Sequence, residues 1–187
     1  MKVSFELSPR DLRYFKSALR EARANARGKD EKEITTAARR VVAKLKDVEL
    51  SDFVRERVGV LETLVAILED QEWDLARDDR SRVVEALAYF AEPDDLIPDK
   101  IPVLGFLDDA IMIQLVAEEM RHDLEAYRDF CNFRKQQEKR LGKRQDPATR
   151  EQWLRTRRQQ LHQRMRRRRR SRVGRTRGSR NSTLSLW

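Results

Sequence analysis

Through the first ninety residues apolar positions recur three and four apart, the spacing that lines one face of an α-helix. Leu12, Phe15, Leu19, Ala22 and Ala26 form the first stripe. Ahead of it Ser8, Pro9 and Asp11 read as N-cap, first helical residue and capping-box acid, and Gly28 marks the end. After Asp30 the spacing returns in Ile34, Ala37, Ala38, Val41, Val42, Leu45 and Val48, with Arg39, Arg40, Lys44 and Lys46 on the other side. A third stripe, Val54, Val58, Leu61, Val65 and Leu68, follows a Ser51 cap and is widened by Val60, Leu64 and Ile67. That width predicts a central helix buried on two sides. Asp78 or Asp79 opens a shorter helix through Val83, Val84, Leu87, Tyr89 and Phe90. Only Val3, Phe5 and Leu7 alternate in the manner of a strand, and with no partner run they predict a single extended arm.

In the second half the spacing predicts one long helix from about Phe106 to about Arg140, carrying Leu107, Ile111, Leu115, Met120, Leu124, Tyr127 and Cys131. Asp108 and Asp109 at its start and Lys135, Lys139 and Arg140 at its end suit the helix macrodipole. Gly142 breaks it, and Asp146–Pro147 starts another helix whose apolar stripe is only Trp153, Leu154, Leu161 and Met165. From Ser171 onward Arg, Gly, Ser and Thr follow without periodicity, the composition of a disordered end. The expected fold is all-α: a compact multi-helix bundle with a long C-terminal helix and an arginine-rich helical or disordered extension. Residues 1–133 read as the helical body and 134–187 as the basic extension.

Charge sharpens that division. The chain of 187 residues is 39% Asp, Glu, Lys and Arg, with a formal net charge of +9; about 25% charged is usual. Residues 134–187 hold 20 Lys and Arg against Glu138, Asp146 and Glu151, a net of +17, which leaves −8 on residues 1–133. Such asymmetry is characteristic of a tail that engages polyanions. The lone Cys131 excludes an intramolecular disulfide. Glu6, Arg10, Asp11 and Arg13 interrupt any signal-peptide apolar region. A cytoplasmic protein is expected, with a peripheral membrane location as the alternative.

The segment EPDDLIPDKIPVLGFLDD, residues 92–109, interrupts the helical pattern. Pro93, Pro98 and Pro102 push the residues before them out of the α region, so the backbone bends repeatedly. Leu96, Ile97, Ile101, Val103, Leu104 and Phe106 nevertheless call for burial, and short carboxylates are suited to the amides that such a bent backbone strands. On this reading Asp95 and Asp99 serve turns and caps, and Asp108 and Asp109 occupy the first turn of the long helix. A magnesium or calcium site built from Asp95, Asp99, Asp108 and Asp109 is the competing reading, although the spacing departs from the calcium-loop pattern. Membrane spanning is disfavoured: IPVLGFLDDAIMIQLVA falls short of ~20 residues, and each Asp at mid-membrane costs roughly 2.5–3.5 kcal/mol.

At Asp95, Leu96, Ile97, Pro98, Asp99, Ile101, Pro102, Leu104, Gly105, Leu107, Asp108 and Asp109 the chain resembles the YkvA-like domain of unknown function, found in many bacterial proteins, whose hallmark has the form DLIPD-x-IP-x-LG-x-LDD. The resemblance covers about residues 80–120. It implies a compact helical unit without an assigned activity, and it carries the membrane association attributed to many relatives. Gln114, Glu118, Glu119, Arg121, His122 and Asp123 stand where a membrane segment would continue.

No Gly-rich phosphate loop, nucleophile elbow or HExxH motif is present. His122 and Cys131 fall on opposite sides of a continuous helix, and Glu118 with His122, at i and i+4, reads as a surface ion pair. The expected protein is therefore a binding protein without a cofactor, and an enzyme is not expected. Its candidate interface is Arg155, Arg157, Arg158, Arg164, Arg166, Arg167, Arg168, Arg169, Arg170, Arg172, Arg175 and Arg177. Guanidinium groups grip phosphate through paired donors and stack on exposed bases, which favours nucleic acid, RNA ahead of DNA. An anionic membrane surface and the acidic body of the same chain are the other partners such a cluster suits.

Overall fold

The computed structural model describes residues 7–26, 28–46, 52–91, 107–141 and 146–176. Among them are seven α-helices, one short 3-10 helix and no strand. The all-α expectation holds, while the alternating Val3 and Phe5 lie outside the described residues. The chain divides into two compact units, Met1–Met120 and Arg121–Trp187.

The first unit opens with α1 (Pro9–Asn25). The capping box foreseen at its start is closed: the Asp11 amide donates to the Ser8 hydroxyl oxygen at 3.3 Å, and the Ser8 amide donates to the Asp11 carboxylate at 2.9 Å. The Ser8 hydroxyl, which donates to the Asp11 carboxylate at 2.7 Å, and then the Ser8 amide hold the Asp11 carboxyl below its usual range. Past the helix Gly28 takes φ +97°, where a side chain would be strained, and the Lys29 amide closes the turn on the Ala26 carbonyl at 3.0 Å. Helix α2 (Glu31–Lys46) buries Ile34, Ala38 and Leu45. Its first turn is tied to α4 (Arg77–Leu87), where Arg80 Nε donates to both Glu31 oxygens at 2.8 Å.

Helix α3 (Asp52–Glu69) is central, as its broad stripe predicts, touching α2, α4 and α5 (Leu107–Glu119). Val58, Leu61, Leu64, Ile67 and Leu68 are all buried, and each such side chain contributes about 1.5–3 kcal/mol by leaving water. Helix α4 begins earlier than expected. Ala76 is the N-cap, without a side-chain hydrogen bond, and Asp78 and Asp79 occupy the first turn, where the macrodipole favours carboxylates. A 3-10 helix, Ala88–Ala91, then buries Tyr89 and Phe90 edge to face at 5.3 Å.

Between α3 and α4 the structure adds a feature the spacing did not indicate. Asp70 accepts the amides of Glu72 and Trp73 at 3.0 and 3.3 Å, and Asp74 takes φ +45°. This turn swings Trp73 inward until it is 1% exposed. An Asp accepting the amide two residues on is a sequence-local device, but it leaves no periodic trace.

The single long helix expected from Phe106 to Arg140 is two helices. Helix α5 ends at Glu119, Met120 forms a turn, and α6 (Arg121–Leu141) follows. The Met120 amide still bonds to the Val116 carbonyl at 2.9 Å, so the helical ladder persists to the break, and neither proline nor glycine marks it. The two parts bury differently: α5 buries Asp108 through Ile113 without interruption, whereas α6 is amphipathic. The second unit contains α6 and α7 (Pro147–Thr176), which pack on each other. Helix α7 continues past Ser171, where loss of periodicity predicted disorder: the backbone ladder does not need an apolar stripe to persist through another turn.

Candidate nucleic-acid interface

Helix α7 starts where Asp146–Pro147 predicts. The Asp146 carboxylate accepts the Thr149 amide at 2.9 Å and the Thr149 hydroxyl at 3.0 Å. The amide bond is the larger cause holding that carboxyl below its ordinary range. Thirty residues long, the helix extends about 45 Å. Its apolar contribution is small: Leu154, Leu161 and Met165 are buried and Trp153 is half-buried. Trp153 meets Phe133 of α6 edge to face, centroids 5.5 Å apart.

The remaining packing is electrostatic. Arg150 binds Glu138 at 2.6 Å, Arg164 binds Asp129, Arg168 binds Glu125 at 2.9 Å, and Arg169 binds Asp123 through two bonds, one of them 3.1 Å. As numbers rise along α7 the partners' numbers fall along α6, so the two helices run antiparallel. The Arg169–Asp123 pair is the buried one, with the carboxylate side chain 2% exposed. A fork of two charge-assisted bonds is the arrangement that makes such burial tolerable.

This pairing sorts the twelve arginines predicted from sequence. Arg164, Arg168 and Arg169 are engaged by α6 acids, and Arg158 lies 3.7 Å from Glu151 with its side chain mostly buried. Arg157 is half-buried, its guanidinium 5.3 Å from the Phe133 ring centroid. Arg155, Arg166, Arg167 and Arg170 are exposed. Arg155 makes only a 3.7 Å contact with Glu151, and Arg167 and Arg170 have no ion pair or hydrogen bond among the described residues. The side chains of Arg172 and Arg175, and the whole of Arg177, lie outside the described residues. The outward strip of α7 at three-four spacing is Gln152, Arg155, Gln159, Gln163, Arg166 and Arg170, all exposed, with Arg167 on its flank. Only arginine and glutamine occupy it.

Sequence reasoning missed the α6 acids that divide the arginines into two faces. A signal existed: Glu125 and Asp129 share the four-residue spacing of Arg164 and Arg168.

The aspartate readings divide as well. Asp95 and Asp99 lie outside the described residues. Asp108 and Asp109 occupy the first turn of α5 as expected, and both are buried. Among the described residues no group of three or more His, Cys, Asp or Glu is placed to hold a metal ion. The residues of the expected Glu118–His122 pair fall in different units: Gln114 donates to Glu118 at 3.2 Å in the first, and His122 Nδ1 lies 3.5 Å from Glu125 in the second. Among the described residues no helix is long and apolar enough to cross a membrane.

Residues 81–115 match the family model described as Protein of unknown function (DUF1232), in agreement with the YkvA-like resemblance. The match takes in most of α4, the 3-10 helix and the first part of α5, while α6 and α7 lie outside it. No curated protein and no solved structure matches the chain significantly.

Proposed function

We propose that the protein is a non-enzymatic nucleic-acid-binding protein, RNA ahead of DNA, whose contact surface is the outward strip of α7. The observation that carries this reading is composition by face: with Arg164, Arg168 and Arg169 occupied by α6 acids, the exposed strip from Gln152 to Arg170 holds only arginine and glutamine. Exposed guanidinium groups are suited to phosphates, and amide side chains donate to and accept from sugars and base edges. A lipid surface is less well served, because Leu154, Leu161 and Met165, the residues available for insertion, are buried.

The test is salt-dependent binding of single-stranded RNA by the full chain. Replacing Arg155, Arg166, Arg167 and Arg170 together with glutamine should lower the slope of log K against log salt by about 3, near 0.7 per phosphate contact. Replacing Arg164 and Arg168 should leave that slope unchanged and lower stability by under about 1 kcal/mol for each exposed pair. Equal loss of binding in both variants, or no loss in the first, defeats the reading.

A further inference from the structure

Within the second unit, α7 and Phe133 of α6 line an open groove of about 440 Å³, its other walls being Gln152, Trp153, Thr156, Arg157 and Gln160. We infer that this groove receives an unpaired nucleobase of a single strand whose phosphates follow the arginine strip. The inference rests on the nucleic-acid reading above and deepens it by naming a base-binding site.

Three observations point the same way. The wall is aromatic, formed by the edge-to-face Phe133–Trp153 pair, and the volume lies in the range of sites for small planar ligands. The rim carries amides: Gln152 and Gln160 are exposed and line the groove, and an amide side chain offers the paired donor and acceptor that match a base edge. The charge is uncompensated: Arg157 lies 5.3 Å from the Phe133 centroid, its Nε is buried without a hydrogen-bond partner, and it has no carboxylate partner among the described residues. Its neighbours Arg150, Arg155 and Arg158 all have one.

Placement supplies the connection to the strand. Gln152 belongs both to the groove and to the outward strip, so the two are continuous. Arg166 and Arg167 lie thirteen and fourteen residues beyond Trp153, about 20 Å along the helix. A short single strand therefore reaches from groove to arginines. Aromatic contact with a base is tolerant of sequence, so the site would select unpaired over paired nucleotides more strongly than one base over another.

The experiment compares two single-stranded oligoribonucleotides of equal length and charge, one with all its bases and one abasic at every position, binding to the full chain. The base-bearing strand should bind at least about fivefold more tightly, the lower end of what one base contact is worth, and should quench tryptophan fluorescence in a Trp187→Phe background. Gln152→Ala with Gln160→Ala, both exposed positions, should abolish the preference for the base-bearing strand. Trp153→Leu, which retains bulk against Phe133, should do the same. Equal binding of the two strands by the unaltered chain overturns the groove and spares the arginine strip. A preference that survives both variants also overturns the groove. Binding of neither strand at physiological ionic strength overturns both readings.

Discussion

The two units bury their helices by different means. In Met1–Met120 the 18-residue α3 places Val54, Val58, Leu61, Leu64, Val65, Ile67 and Leu68 out of water. In Arg121–Trp187 the 30-residue α7 buries Leu154, Leu161 and Met165 and relies for the rest on arginines matched to α6 acids. Apolar burial is non-directional and scales with area, so the first unit spreads its stability over many side chains. An ion pair is worth little when exposed, and its removal is costly only where a charge is left behind in a dry site. The second unit therefore concentrates its stability in a few positions. The same economy leaves the far side of α7 without a structural task.

Substitutions can break or sharpen that contrast. The largest effect is expected from Arg169→Ala, which leaves the Asp123 carboxylate buried without its guanidinium fork. A loss of about 3–5 kcal/mol is expected, read by urea denaturation and by faster amide exchange in α6 and α7. Replacing Asp123 and Arg169 together with leucine should recover most of it; a cost below about 1 kcal/mol for Arg169→Ala would show that the pair carries no structural weight. Next in size is Leu64→Ala in the first unit, expected to cost roughly 3 kcal/mol through the cavity it leaves. Its cost should be nearly independent of salt. A strong salt dependence there would erase the distinction between the units.

The smallest effect concerns pH. Thr149 holds the Asp146 carboxyl below its ordinary value of 3.8 in the folded chain. A depressed folded value means the stabilisation is complete above the unfolded value and is lost as pH falls through the lower, folded one. The gap in melting temperature between the unaltered protein and Asp146→Asn should thus be constant above pH 3.8 and close below it. Asp11→Asn should behave likewise in the first unit, through Ser8. A gap that widens on acidification would contradict both caps.

What was legible in the sequence was local. Ser8–Pro9–Asp11 and Asp146–Pro147 announce helix starts because cap and first turn lie within four residues of each other. The α3 stripe announces its central place because a helix buried on two sides needs apolar residues on both. The turn at Met120 was hidden because the apolar spacing runs across it unbroken. Trp73 was hidden because one aromatic residue between two helices has no period. At the candidate interface the arginines were evident as a type, but which of them face inward depends on Asp123, Glu125 and Asp129, some forty residues away along the chain. A run of identical residues cannot state its own inner side.

That sameness has a mechanical consequence for the Phe133–Trp153 contact. Slid along its neighbour by one turn, about 5.4 Å, α7 would still bring an arginine, Arg168, opposite Asp129, where Arg164 now stands, but it would carry Arg169 away from the buried Asp123. The aromatic pair meets at a single setting. With the buried Arg169–Asp123 fork it acts as the detent that holds the rod at one notch.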